Sequence, residues 1–372
     1  MFRILCFTSF LFPFLVAAQQ KADWQGIGIE ANIHGGRIYK HTENFKAPVP
    51  DFSGAFEINL IKQTYGKKEW EQRRNYPVVG LGFSYTDYGL DSVFGKCYSI
   101  YPNLELPLVK GKQLEWTFRA GFGLAYTTRH YKRGPEWDTL NNAVGTHLNN
   151  YTLFATDIRY RVNEHWDIQL GGSFSHISNA SLRTPNLGIN LVGAHVGVRY
   201  FPATSRPKKI VRKLDPLKNQ WLAQIRLGIS ANEANVPNGP LYPIYIVSAY
   251  ASRRYRSKNK MFAGVDYSYH ESIYAFLRNN EIEPGRERSQ SWKSTVFIGN
   301  EFLIGRFGVH LQVGYYLRES YLRLEKFYQK IGCNIYLLQQ EKGTFKETFF
   351  SVHLKTHKTQ AEFAEVGVGV GF

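Results

Sequence analysis

The residues of this sequence best placed to do chemistry together are a histidine and a serine one residue apart, His176 and Ser178. They end residues 166–178, where apolar and polar side chains alternate as in a β-strand with one apolar face. Two residues along a strand are roughly 6.6 Å apart, so an imidazole can reach a hydroxyl on the same face. A base beside a hydroxyl is the smallest unit that activates a serine nucleophile. The pair therefore indicates an activated serine, and the alternative is a polar cap where a strand leaves a core.

Residues 1–18 have the features of an export signal. Arg3 precedes the apolar run 4–16, and Ala17 and Ala18 supply small residues at a cleavage site. The apolar run is too short to cross a bilayer as a helix. We therefore expect an exported protein whose mature chain begins near Gln19.

The composition favours a β-barrel in the outer membrane of a Gram-negative bacterium. The chain has 33 Gly, 26 Phe and 24 Tyr among its 372 residues, and only 2 Met. Apolar and polar residues alternate in many short segments, with glycines and aromatic residues on opposite faces, as in transmembrane strands. A soluble secreted β-sandwich, with a binding function, is the alternative class.

The positive charge does not indicate a nucleic-acid partner here. Lys and Arg total 46 against 30 Asp and Glu, which in another context would suit nucleic acid. Export argues against such a partner. We expect most basic residues to be solvated in loops, and some to attract anionic lipid headgroups.

The alternation predicts eight strands in each half of the chain, separated by a basic linker or turn over residues 202–218. The sequence thus divides into a barrel repeat over 19–201 and a second repeat over 219–372. The first eight strands are expected near residues 24–34, 51–62, 76–87, 96–108, 113–128, 148–162, 165–178 and 190–201. The second eight are expected near residues 219–230, 242–254, 260–270, 291–304, 305–318, 328–338, 345–356 and 361–372.

The second half resembles a degenerate copy of the first. Four short segments match in the same order, and one match places His353 and Lys355 where the first half has His176 and Ser178. We predict an all-β, antiparallel transmembrane barrel of about sixteen strands built from two eight-stranded repeats. Two tandem eight-stranded barrels are the alternative. The last strand ends on Phe372 and looks like a signal for the barrel assembly machinery.

Two short motifs carry a resemblance to a known family. The sequences His176-Ile-Ser-Asn-Ala180 and Pro185-Asn-x-Gly-Ile189, followed by a closing strand, resemble the lipid A 3-O-deacylases of the outer membrane, which are also called acyloxyacyl hydrolases. The resemblance covers residues 20–201 and is most specific over 170–201. It implies an eight-stranded barrel that hydrolyses an ester-linked acyl chain of lipid A, the lipid anchor of lipopolysaccharide.

The resemblance also implies roles for individual residues. Ser178 matches the nucleophile, His176 the general base, and Asn179 a residue of the oxyanion hole. The family's acid that orients the histidine falls at Asn190, an amide here. Such a mechanism requires no metal and no cofactor, and the other histidines show no metal-ligand spacing. The alternative function is a non-catalytic outer-membrane barrel, either porin-like or structural.

Overall fold

The computed structural model describes residues 25–372, apart from residues 133–138, 203–205, 216–218, 235–236, 238, 256–257, 320, 323–324 and 359. The expected signal segment, 1–18, lies outside the described residues. All sixteen predicted strands are confirmed. In the first half they are β1 Ile27–Ile38, β2 Ser53–Gln63, β3 Val78–Asp87, β4 Lys96–Lys110, β5 Leu114–Thr127, β6 Leu148–Arg161, β7 Trp166–Ser178 and β8 Ile189–Tyr200. In the second they are β9 Trp221–Asn232, β10 Tyr242–Tyr255, β11 Asn259–His270, β12 Trp292–Ile304, β13 Phe307–Arg318, β14 Phe327–Gln339, β15 Glu347–His357 and β16 Gln360–Gly371.

The strands close into two separate antiparallel barrels. In the first (barrel 1), β1 pairs with β8, with Ile29 opposite Tyr200. In the second (barrel 2), β16 pairs back to β9, with Val366 opposite Ile229. The prediction of one sixteen-stranded barrel is therefore wrong, and the alternative of two eight-stranded barrels is correct. Eight strands suffice because their inward side chains fill so narrow an interior.

Barrel 1 has apolar side chains on its outside and charged side chains in its interior, the reverse of a water-soluble protein. Outward residues such as Ile33 and Leu170 are 65% and 60% exposed. Inside, Arg119 lies 2.7 Å from Glu30 and 2.5 Å from Glu57. The other buried charges of this network are Glu105, Arg159 and Arg199. An apolar exterior around a polar interior is the arrangement of a barrel surrounded by lipid.

The interior of barrel 2 is also filled with ion pairs. Glu365 lies 3.0 Å from both Arg226 and Lys330. His353 and Lys355 are inward and buried, at 3% and 4% exposure, whereas the residues they were matched to lie on the outward face of β7. That part of the repeat alignment is wrong, because a shift of one residue moves a strand's side chains to the opposite face.

Three short helices lie in the connections: α1 Glu69–Arg73 between β2 and β3, and α2 Glu271–Asn279 and α3 Glu287–Gln290 between β11 and β12. The alternation of apolar residues did not predict them. In the part of the chain that the structure covers, no helix is both long and apolar enough to cross a membrane.

The connection between β7 and β8 lies at the end of barrel 1 opposite the start of β1. Buried apolar residues fill the barrel at this end, with exposures of 1% or less for Phe45, Phe94, Val144, Ile177 and Ile189. Ile177 and Ile189 flank the β7–β8 connection. The cluster therefore closes the mouth of barrel 1 and anchors both ends of that connection.

Barrel 2 contacts barrel 1 at both ends. At the end that carries the β7–β8 connection, the Ser181 hydroxyl donates to the Ala361 carbonyl of β16 at 2.8 Å. At the opposite end, the Arg74 guanidinium donates to the carbonyls of Lys258 and Leu303 at 2.6 and 2.8 Å. The connection beside Ser178 is therefore in direct contact with the second barrel.

Candidate active site

The pairing of β7 with β8 places His176 directly opposite Asn190. Even-numbered residues of β7 point outward, since Trp166, Ile168 and Leu170 are 44–60% exposed. His176 lies on the same outward face, at the end of the strand. Two side chains predicted from the sequence to act together are thus brought side by side by one strand pair.

His176 makes two hydrogen bonds that define its tautomer. Its Nδ1 lies 2.6 Å from Oδ1 of Asn190, and its Nε2 lies 3.0 Å from Oγ of Ser178. An amide oxygen can only accept, so Nδ1 carries the proton. Nε2 then has a free lone pair directed at the Ser178 hydroxyl. This is the geometry in which an imidazole removes a proton from a serine.

Asn179, directly after the serine, is held in place but keeps one free donor. Its backbone N–H donates to Oδ1 of Asn186 at 2.8 Å, and its own Oδ1 accepts from the Arg183 N–H at 3.4 Å. Asn179 is 7% exposed, and its Nδ2 has no hydrogen-bond partner among the described residues. A buried N–H group without a partner is costly, which makes the Nδ2 group of Asn179 a candidate donor to a developing oxyanion.

The turn after Asn179 has an unfavourable backbone. Ala180 and Ser181 both have positive φ, at 54° and 63°, and the Leu182 N–H closes the turn on the Asn179 carbonyl at 3.1 Å. Residues with a Cβ pay for this left-handed conformation, which persists where the surroundings enforce it. The bond from Ser181 to barrel 2 is one such constraint.

Glu233 of barrel 2 supplies a second constraint on the same connection. Its carboxylate pairs with Arg183 and accepts from the Thr184 N–H at 2.7 Å and the Thr184 hydroxyl at 3.1 Å. Glu233 is 1% exposed. Sequence patterns did not indicate this residue, because it lies between β9 and β10, far along the chain from the site.

The sequence also gave no indication of His41, which extends the chain of hydrogen bonds. The Nδ2 group of Asn190 lies 2.8 Å from Nδ1 of His41. A backbone bond from the Tyr39 N–H to the Asn190 carbonyl, 2.8 Å long, brings the β1–β2 connection to this position. Four side chains from three parts of the chain, Ser178, His176, Asn190 and His41, are therefore linked in one row.

Ser178 and Asn190 are 5% and 8% exposed, so these two side chains are covered from bulk water, whereas His41 at the end of the row is exposed. Among the described residues, no group of three or more His, Cys, Asp or Glu side chains is arranged to hold a metal ion. The arrangement can activate a serine for attack on an ester. A closed barrel with an apolar exterior and this row at one end defines an outer-membrane β-barrel with a candidate hydrolase site.

Comparison with known families gives the same class. Residues 54–199 match the family model "Lipid A 3-O-deacylase (PagL)", and residues 219–372 match "Acyloxyacyl hydrolase, C-terminal domain". A search of curated protein sequences gave no match. The matched ranges leave out only residues 1–53 and 200–218. The chain belongs to the lipid A 3-O-deacylase family, a family of hydrolases, and is a protein of the Gram-negative outer membrane.

Solved β-barrel proteins match this chain over different lengths, all at low identity. Neisserial surface protein A, at 11% identity and a TM-score of 0.34, covers 47% of this chain and 97% of its own. The outer membrane enzyme PagL, at 16% identity and a TM-score of 0.30, covers 46% of this chain and 97% of its own. A mutant porin of Rh. blastica, at 9% identity and a TM-score of 0.19, covers 93% of this chain and 100% of its own.

Proposed function

We propose that the protein is a serine esterase that hydrolyses an ester-linked acyl chain of lipid A. The supporting observation is the arrangement of His176, with Nε2 at 3.0 Å from the Ser178 hydroxyl and Nδ1 held by Asn190 at 2.6 Å. Family membership supports lipid A as the substrate, and the outward face of β7 suits a substrate that lies in the surrounding membrane.

The reaction follows from the row of hydrogen bonds. Ser178 Oγ attacks the ester carbonyl while its proton passes to Nε2 of His176. The Nδ2 group of Asn179 stabilises the resulting oxyanion. The tetrahedral intermediate collapses, and His176 gives its proton to the departing sugar oxygen, which leaves as a hydroxyl and an acyl-serine remains. Water, deprotonated by His176, then attacks the acyl-serine and releases the fatty acid.

Asn190 orients His176 in this mechanism without supplying charge. A carboxylate in its position would stabilise the imidazolium that forms during attack, and an amide does so less. The amide oxygen nevertheless holds the proton on Nδ1. We therefore propose an active esterase whose rate is limited by the absence of an acid at position 190.

Barrel 2 has a supporting role in this proposal. We propose that it is a degenerate repeat without a nucleophile, and that it holds the β7–β8 connection through Glu233 and Ala361. Recognition of the last strand by the barrel assembly machinery stays a prediction. Buried ion pairs occupy the interior of barrel 1 rather than an open channel, which argues against the porin-like form of the non-catalytic alternative.

Mass spectrometry of lipid A tests the proposal. Lipid A from cells that produce the protein should lose the mass of one ester-linked acyl chain relative to cells without it. Ser178→Ala and His176→Ala should each reduce this loss by roughly a thousandfold or more in rate. Both variants should still shift on unheated gels as folded barrels do. Undiminished deacylation by Ser178→Ala would exclude this site.

A further inference from the structure

We propose that His41 is a positioning residue that fixes which end of the Asn190 amide faces His176. The inference rests on the proposed function of the Ser178 site. Its starting point is the 2.8 Å contact between Nδ1 of His41 and Nδ2 of Asn190, on the side of the amide away from His176.

The two ends of the amide have opposite effects on His176. With Oδ1 facing Nδ1, the proton stays on Nδ1, and Nε2 is free to take the proton of Ser178. With the NH2 group facing Nδ1, the imidazole takes the other tautomer, and Nε2 carries a proton that blocks this transfer. In serine-protease triads, an amide in place of the carboxylate lowers kcat by roughly 10⁴ because the wrong tautomer is held. An enzyme with an asparagine at this position therefore needs something that selects the amide's orientation.

His41 has the chemistry to make that selection. A neutral imidazole with its proton on Nε2 presents a lone pair at Nδ1, which accepts a bond from an amide NH2 and not from an amide oxygen. Turning the amide over would place Oδ1 against this lone pair and NH2 against Nδ1–H of His176. His41 is exposed, but Asn190 is 8% exposed, so water has little access to the amide and cannot readily replace its lost bond to His176.

The position of His41 is fixed independently of its side chain. The Tyr39 N–H bonds to the Asn190 carbonyl, two residues before His41. A substitution at His41 should therefore remove the contact with the amide and leave the β1–β2 connection beside β8.

Four single substitutions, and the double variant that combines His41→Ala with Asn190→Asp, separate an effect on the orientation of the amide from a general structural effect. His41→Ala removes the acceptor, and His41→Gln keeps an acceptor that does not titrate. Asn190→Asp makes both ends of the side chain acceptors, so its orientation no longer matters. The matched control is His165→Ala, which removes a 2.7 Å histidine bond to the Phe201 carbonyl at the opposite end of barrel 1.

Two readouts on purified full-length protein are used, both expressed per folded barrel. The first is the kcat and KM of lipid A deacylation. The second is the rate at which an alkyl fluorophosphonate labels Ser178, which forms a P–O bond, expels fluoride and passes the serine proton to His176. The second readout does not require lipid A to be the substrate.

His41→Ala should lower kcat and the labelling rate by about tenfold or more with little change in KM, and His41→Gln should stay within about threefold of the wild type. In the Asn190→Asp background, His41→Ala should change either rate by less than about twofold. His165→Ala should match the wild type throughout.

Equal rates for His41→Ala and the wild type would overturn the inference. An equal loss caused by His41→Ala in the Asn190 and Asn190→Asp backgrounds would also overturn it. So would a His41→Gln protein that is as slow as His41→Ala. Each of these two results indicates a purely structural role. If the wild type is labelled at Ser178 but leaves lipid A intact, the proposed substrate is wrong, and the labelling rates alone decide the role of His41. A wild type that is not labelled and not active would overturn both proposals.

Discussion

Gly188 leaves no space for a side chain next to the His176 ring. A Cβ at position 188 would lie 2.5 Å from Cε1 of His176 and 3.1 Å from the Ile177 carbonyl oxygen. Gly188 also has a φ of 78°, in the left-handed region. Its N–H donates to the Ala143 carbonyl at 2.7 Å, which fixes it against the imidazole. The glycine in the Pro-Asn-x-Gly motif therefore determines where the His176 ring can lie.

Gly188→Ala should inactivate the enzyme while the barrel still forms. The methyl group would displace the His176 ring from Ser178, and the left-handed backbone adds a cost of about 1 kcal/mol. We expect deacylation to fall by about a hundredfold or more. The matched control is Gly172→Ala on β7, the strand that carries His176, where a Cβ meets only the Gly193 carbonyl oxygen at 3.8 Å. Lipid A mass spectra and gel shifts for both variants check this, and equal activity of the two would contradict it.

Asn190→Asp should increase the deacylation rate. The carboxylate has nearly the shape of the amide and reaches the same 2.6 Å contact with Nδ1 of His176. It would stabilise the imidazolium formed as Ser178 attacks, and we expect kcat to rise by about tenfold. Asn190→Ala should lower kcat instead. Single-turnover rates per folded barrel for the three proteins test this, and identical rates would remove Asn190 from the mechanism.

Glu233→Ala should reduce deacylation although Glu233 belongs to the other barrel. Its loss removes three contacts to the β7–β8 connection, and the positive-φ turn after Asn179 becomes less constrained. We expect an activity loss of about tenfold. The matched control is Glu325→Ala, which breaks an exposed pair with Lys358 at 2.9 Å, the type of pair that contributes about 0–1 kcal/mol. If both variants retain full activity, barrel 2 does not hold the site.

Residues 19–201 should fold without the second barrel. Every strand of barrel 1 pairs with strands of the same barrel, and β1 closes directly on β8. We expect the fragment to refold in detergent into a protease-resistant species that shifts on unheated gels. Its deacylation rate should fall about as far as that of Glu233→Ala, because both lack the support from barrel 2. A fragment that only aggregates would show that closure depends on the second half.

The sequence was sufficient to predict the strands but not their closure. Alternation of apolar and polar residues gives the same pattern in one large barrel and in two small ones, because it reports only inward and outward faces. Closure depends on which strands pair through their backbones, as at Ile29 and Tyr200. The alternation of apolar and polar residues does not show which strands pair. The incorrect match of His353 to His176 has a related cause, because glycine-rich strands align equally well when they are shifted by one residue.

The sequence was sufficient to predict those residues of the candidate site that lie on strands. His176, Ser178 and Asn190 lie at the ends of two paired strands, so their spacing and register indicated their contacts. His41 and Glu233 lie in irregular connections whose positions depend on the packing of the whole molecule. No local pattern marks a loop residue that meets a site 149 positions away.

Under the proposed function, the location of Ser178 on the same strand as Trp166 sets the depth at which hydrolysis occurs. Trp166 packs against Tyr200 with ring centroids 4.7 Å apart at the other end of β7, as in the aromatic girdle at a membrane surface. The strand has 13 residues, or roughly 43 Å along its axis and about 30 Å across the bilayer at a tilt of about 45°. The hydrocarbon core has about that thickness. Under the proposed function, Ser178 is therefore expected at the boundary of the hydrocarbon opposite Trp166, level with the bonds that join acyl chains to a sugar headgroup. The expected consequence is selection among lipid esters by depth, because bonds deeper in the bilayer, or in the opposite leaflet, would lie beyond the reach of the serine.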